Sequence, residues 1–257
     1  MGKIISVANQ KGGVGKTTTV INLASYIAEK NKTVLVIDSD PQGNTTTGLG
    51  INKKAISKTL YTLMTKTETV DNVIIPTEVE NLSIIPTDIQ LSGAEIELVD
   101  EKGREFILKN IIEENALKDK YDFIIIDCPP SLNILTINAL AASDSVLIPL
   151  QCEFLALEGL SQFLHTYNLI KKKMNNKIEI EGIVFTMFDG RTNLSNQVVE
   201  EVNHFVGESI YKCVIPRSIR LSEAPSYGLP ISMYDRKSKG AQAYEILAEG
   251  IIRNSEV

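Results

Sequence analysis

Residues 11–18 read Lys-Gly-Gly-Val-Gly-Lys-Thr-Thr, and this octet confines the chain to a narrow set of folds. A glycine-rich loop ending in Gly-Lys-Thr works only when a buried strand delivers the chain into it and a helix receives it. Both flanks comply. Residues 4–8 form a short run rich in Ile and Val that reads as a buried strand. From Thr17 onward, Val20, Leu23, Ala24 and Ile27 recur at helical spacing. Gly12, Gly13, Val14 and Gly15 form the body of the loop, and its glycines permit a tight path. Backbone N–H groups at the helix start can then cradle phosphate oxygens. In such a loop Lys16 reaches the β- and γ-phosphates, Thr17 offers its hydroxyl to Mg²⁺, and Thr18 donates to the α-phosphate. Lys11 is surplus to this scheme, because the class needs only the second lysine.

Strand-like runs at 34–37, 82–85, 123–126, 145–149, 182–186 and 213–215 alternate with helix candidates near 17–30, 92–118, 157–174, 195–207 and 238–252. Several runs lack polar alternation, so both faces of the sheet are expected to be covered. The alternation predicts an α/β fold: a doubly wound, mostly parallel sheet with helices on both faces, in one domain spanning 1–257. Residues 44–80 are the least regular and are expected to supply short helices and loops over the phosphate site.

Two acidic clusters fall where such a sheet binds ligands, at the carboxyl ends of strands. Asp38-Ser39-Asp40-Pro41-Gln42 follows the second run, and Asp127-Cys128-Pro129-Pro130 follows the fourth. Asp127 has the form of a Walker B aspartate that holds Mg²⁺ through water. The two prolines stiffen the segment leaving it, as suits a γ-phosphate sensor. Asp40 is the candidate for orienting attacking water, acting by position more than by basicity.

Composition narrows the remaining classes. No apolar run reaches membrane-spanning length, and the start lacks a basic segment followed by an apolar targeting stretch. Cys128, Cys152 and Cys213 are odd in number and widely spaced, which fits buried thiols in a reducing cytoplasm. With only His165 and His204 present, histidine-based catalysis has little to work with.

Together these motifs closely resemble the ParA/Soj partition ATPases, the branch of the deviant Walker A group that also contains MinD. The resemblance covers 11–18, 38–43, 90–99, 127–132, 151–159, 190–193 and 216–225. It looks most like the short Soj type, in which the loop lies almost at the N-terminus. The resemblance implies a P-loop NTPase fold, ATP as substrate with Mg²⁺, and ATP hydrolysis to ADP and phosphate. It assigns Lys11 the role of a signature lysine that crosses a nucleotide-sandwich dimer, with Gly12 kept small where the partner approaches. It makes Asp40 the residue required for hydrolysis beside Lys11 and Lys16, and lets Asp38 help arrange Mg²⁺. Pro216 and Arg217 resemble the segment beside the adenine, where Arg217 is either structural or nucleotide-facing. Arg191 and Arg220 resemble surface arginines that hold nonspecific double-stranded DNA after ATP-dependent homodimerisation. The implied partner is a ParB/Spo0J-like centromere-binding protein, and the implied location is the nucleoid in the cytoplasm.

Other readings remain. A net charge of -6 disfavours generic DNA binding, although a dimer can present a local basic face. A membrane-cycling ATPase of the MinD kind needs a basic amphipathic C-terminal helix. Residues 247–257 carry one positive and two negative side chains and a glycine, and read instead as a core-facing helix with a frayed tail. An iron–sulfur relative needs cysteines shared between subunits, which Cys128 and Cys152 do not match. A noncatalytic scaffold that keeps ATP as a stabiliser is the last alternative.

Overall fold

The apolar runs form strands because every side chain along them finds cover on one face of the sheet or the other. The structure, a computed structural model, describes residues 1–206 and 211–255. Its strands are β1 (Lys3–Val7), β2 (Val34–Asp38), β3 (Ile75–Pro76), β4 (Leu82–Ile85), β5 (Phe123–Asp127), β6 (Ser145–Gln151), β7 (Glu179–Phe188) and β8 (Tyr211–Pro216). They make one sheet in the order β3-β4-β2-β5-β1-β6-β7-β8. All pairings are parallel except β3 with β4. The expected α/β doubly wound architecture is therefore present, with one short antiparallel edge strand that the sequence did not announce.

Side chains alternate between two cores. Leu35, Ile37, Ile124 and Ile126 face one, and Val34, Val36, Phe123 and Ile125 face the other. Helix α1 (Lys16–Glu29) belongs to the second core, with residues 19–28 buried along its length. Residues 44–80 hold α2 (Asn44–Gly48), α3 (Leu60–Met64) and α4 (Val70–Val73), short helices as expected.

The single helix expected over 92–118 is instead α5 (Leu91–Glu97), α6 (Ile107–Glu114) and α7 (Leu117–Lys120). Gly103 (φ 73°) and Ala116 (φ 51°) take left-handed conformations that no continuous helix accommodates. Helices α8 (Ile134–Ala142), α9 (Ala156–Lys173) and α10 (Asn193–Val206) follow. The final residue of the helix expected at 195–207 lies outside the described residues. Helices α11 (Ile219–Glu223), α12 (Ile231–Tyr234) and α13 (Lys239–Ser255) complete the second face. On α13 the stripe Ala241, Tyr244, Leu247, Ala248 and Ile251 is buried, so this helix is core-facing, as its periodicity implies. Residues 256–257 of the tail lie outside the described residues. No described helix is long and apolar enough to cross a membrane. Cys128, Cys152 and Cys213 are all buried free thiols.

Candidate functional site

β1 lies between β5 and β6, at the point where the chain winds outward in both directions. A crevice opens at the carboxyl ends of strands placed this way. The loop joining β1 to α1 sits there. Gly13 (φ 76°) and Gly15 (φ 88°) adopt backbone conformations that a side chain would strain. Gly15 caps α1 without a side-chain hydrogen bond, and the first helical bond is donated by Thr19 N to Gly15 O at 2.9 Å. The N–H groups of the first turn are thus left for an anion, where the helix dipole also favours one. The loop is braced from two sides. Asn9 Nδ2 donates to Pro149 O at 2.7 Å, and Thr186 Oγ1 donates to Val14 O at 2.8 Å.

Lys16 is buried and its Nζ donates to Lys11 O at 2.9 Å. Burial lowers its pKa, and the charges of Asp127 and Asp40 oppose that shift. Thr17 Oγ1 donates to Asp127 Oδ2 at 2.8 Å, and Thr45 Oγ1 to the same oxygen at 2.6 Å. Asp127 Oδ1 is buried with no partner. An orphaned carboxylate oxygen beside a hydroxyl is an arrangement a cation would complete. Among the described residues no group of three or more His, Cys, Asp or Glu could enclose a metal, so a cation here would draw its remaining ligands from water and from a bound phosphate.

Asp38 and Asp127 stand side by side, because β2 and β5 pair in register through these two residues. Both are fully buried, and burial raises both pKa values. The Asp127 charge pushes Asp38 up further. Asp38 Oδ2 accepts from Thr46 N (2.8 Å) and Thr46 Oγ1 (2.7 Å), and Oδ1 accepts from Asp40 N at 3.3 Å. Asp38 thus holds α2 and the Asp40 turn in place, whereas Asp127 keeps an oxygen in reserve. Asp40 is 8% exposed, and its Oδ1 accepts from Gln42 N at 3.0 Å.

Beyond the loop a cavity of about 290 Å³ runs from Gly15 and Thr18 to Thr186, Pro216, Arg217 and Leu221. It brings Pro216 and Arg217 to the phosphate loop across the sheet. Lys11 points elsewhere. Its Nζ pairs with Glu153, next to the exposed Phe154 (86%) and Leu155 (52%). Gly12 is exposed, and a Cβ there would find only Pro130 Cβ, at 3.9 Å.

Neither surface arginine lines this cavity. Arg191 Nε and Nη2 donate to the two carboxylate oxygens of Asp189, at 2.8 and 2.7 Å. Arg220 Nη1 donates to Glu223 at 2.9 Å, and its Nε lies 3.5 Å from Asp235. Sequence reasoning missed Thr45, Thr46, Thr186 and Glu153. The threonine run after Gly43 was a visible signal for the first two. Thr186 gave none beyond closing a strand, and Glu153 lay unremarked inside a matching block.

A family model described as an AAA domain matches residues 2–180. The chain is 55% identical over 254 residues to the sporulation initiation inhibitor protein Soj of Bacillus subtilis (strain 168), covering 99% of this chain and 100% of that one. It is 49% identical over 253 residues to the chromosome partitioning protein ParA of Myxococcus xanthus, covering 98% and 89%. Among solved structures, cobyrinic acid a,c-diamide synthase from Mycobacterium smegmatis with bound ADP and magnesium superposes with a TM-score of 0.87 at 34% identity, covering 100% of this chain and 96% of that one.

Proposed function

The chain belongs to the ParA/Soj/MinD family of deviant Walker A ATPases, and from that premise we propose that it is a Mg²⁺-dependent ATPase switch for chromosome or plasmid segregation. ATP closes two copies face to face, the dimer binds DNA nonspecifically, and a ParB/Spo0J-like partner stimulates hydrolysis, which separates the copies and releases DNA. The cycle runs in the cytoplasm, on the nucleoid.

The observation that carries this reading is the direction of Lys11. Its ammonium leaves its own phosphate loop and lies at the rim with Glu153, beside exposed Gly12, Phe154 and Leu155. A lysine placed there is available to phosphates presented by a second copy, where two bound nucleotides concentrate negative charge.

Within one copy, the first-turn N–H groups and Lys16 bind the phosphates, and the cavity ending at Pro216 and Arg217 takes the base. Thr17 and the unpartnered oxygen of Asp127, with Asp38 alongside, would hold Mg²⁺, which supplies charge neutralisation for the phosphates when bound. Asp38 fixes α2 and the Asp40 turn. Asp40 orients the attacking water.

Gly12 gives a clean test of closure. Nothing in the single chain requires glycine there, since its φ is not positive and a Cβ has room. Gly12→Val is expected to bind ATP as a monomer. A dimer peak from this variant in gel filtration with ATP would count against face-to-face closure.

Arg220→Glu is expected to lower DNA affinity by about tenfold or more and to flatten its salt dependence. ATP-dependent dimerisation should persist. The ion pairs of Arg191 and Arg220 do not oppose this role, because exposed pairs are weak and exchange readily for a phosphate. DNA titrations at several salt concentrations decide it, and unchanged affinity and slope would remove Arg220 from the DNA face.

A further inference from the structure

β7 turns Ile183 and Phe185 toward one core and Val184 toward the other, the core that holds α1. The same alternation puts Thr186 on the α1 side, against the phosphate loop. Thr186 is 3% exposed, and both branches of its side chain are engaged. Its Oγ1 donates to Val14 O at 2.8 Å. Its methyl lies against Gly15, where an added Cβ would stand 3.3 Å from Cγ2. Thr186 still pairs in register with Gln151 of β6, but the pairing of β7 with β8 is interrupted between Phe185 and Phe188. Met187, inside that interruption, takes a φ of 52°. Irregularities of this kind re-aim side chains beside active sites.

The hydroxyl contact fixes more than a carbonyl. Val14 is 1% exposed, so its C=O needs a donor from within the protein. The Val14–Gly15 peptide is planar and trans, so its C=O and N–H point to opposite sides of the chain. Holding Val14 O toward β7 therefore aims the Gly15 N–H away from β7. Among the described residues that N–H donates no hydrogen bond. It belongs to the set that cradles phosphate oxygens in a loop of this type. Gly15 itself does little to hold the peptide, because glycine adopts either sign of φ.

We infer that Thr186 is a positioning residue for nucleotide binding, its hydroxyl setting the Val14–Gly15 peptide so that the Gly15 N–H meets the phosphates. This deepens the reading of the loop as the ATP site and rests on it. A competing role is available, because Thr186 also lines the cavity assigned to the base. A base contact would tell one nucleobase from another, whereas a residue that aims a loop amide acts on every triphosphate alike.

The test uses the full chain, with ATP and inosine triphosphate as probes in titrations with Mg²⁺. Thr186→Val keeps the shape and removes the hydroxyl. It should weaken both nucleotides by the same factor, about tenfold or more, the loss expected when one hydrogen bond to a charged group is misaimed. Thr186→Ser keeps the hydroxyl and removes the methyl. It should bind both within about threefold of wild type. Thermal unfolding without nucleotide should fall for both variants, for Val through the orphaned carbonyl and for Ser through lost packing. Affinity then follows the hydroxyl and not the stability, which a merely structural residue would not produce. Should Thr186→Val fail to fold, Thr186→Ala against Thr186→Ser gives the same comparison, with Ala weakened and Ser retained. Binding of ATP by Thr186→Val within about threefold of wild type overturns the inference, as does an equal loss in Thr186→Ser. A changed preference between ATP and inosine triphosphate in Thr186→Val also overturns it and makes the residue a base contact. Wild-type chain that binds neither nucleotide refutes the loop as the ATP site, whereas wild-type binding matched by Thr186→Val refutes only the role of Thr186.

Discussion

Lys16→Ala is expected to lower ATP affinity by about a hundredfold or more. A buried ammonium donating to phosphate oxygens makes several charge-assisted hydrogen bonds, each worth about 1.5–3 kcal/mol. Two lost bonds correspond to about 3–6 kcal/mol, and every 1.4 kcal/mol is about tenfold in affinity. The environment makes the loss larger, because Lys16 is the cation set against Asp127 and Asp40. Without it, a polyanionic ligand would meet the carboxylates of Asp38, Asp40 and Asp127 with less to offset them. Isothermal titration with ATP and Mg²⁺ is the check. A dissociation constant within threefold of wild type would mean that the loop backbone alone holds the phosphates.

Asp40→Ala has the opposite signature, with ATP retained and turnover lost. Asp40 contributes a backbone N–H to Asp38 and a carboxylate to Gln42 N, so its side chain does little to hold the phosphate loop. A group that positions and deprotonates water contributes about 10²–10⁴ in rate. Steady-state phosphate release is therefore expected to fall at least about a hundredfold, with nucleotide occupancy unchanged and the ATP dimer persisting on DNA. Asp40→Asn separates the two contributions, because an amide can still orient water but is a far weaker base. Release by Asp40→Ala within threefold of wild type would transfer the role to another group.

How far the site was legible follows the range of its contacts. The loop, its strand and its helix occupy consecutive residues, so glycine spacing and apolar periodicity were enough. Asp38 and Asp127 were legible because each ends an apolar run, although both prove to be the last residues of their strands. That they stand in register depends on β2 pairing with β5, a contact between distant segments. The threonine run after Gly43 signals hydroxyls near the loop, but which carboxylate Thr45 and Thr46 each meet is set only when α2 folds over them. Pro216 and Arg217 came from resemblance, because the cavity wall forms only when the ends of β7 and β8 meet Gly15 and Thr18. The helix over 92–118 failed for a local reason. Gly103 was a visible breaker, but Ala116 is a strong helix former and nothing in its type signals a positive φ. β3 spans two residues including a proline, too short for periodicity to register.

The burial of α1 has a consequence for synthesis. This helix opens with the phosphate-binding turn, yet its outer face is sealed by elements made far later. Thr19 meets the Tyr244 hydroxyl at 3.1 Å across 225 residues, Ser25 meets Ser232 at 2.9 Å, and Asn22 Oδ1 accepts from Ile231 N at 2.7 Å. Chains fold as they emerge from the ribosome at about 5–20 residues per second. The loop emerges well before α12 and α13, and the helix that aims it stays half-covered until they follow. A nascent or prematurely terminated chain thus displays the nucleotide motif without a finished site. Burial of the helix that aims the phosphate loop thus waits for α12 and α13.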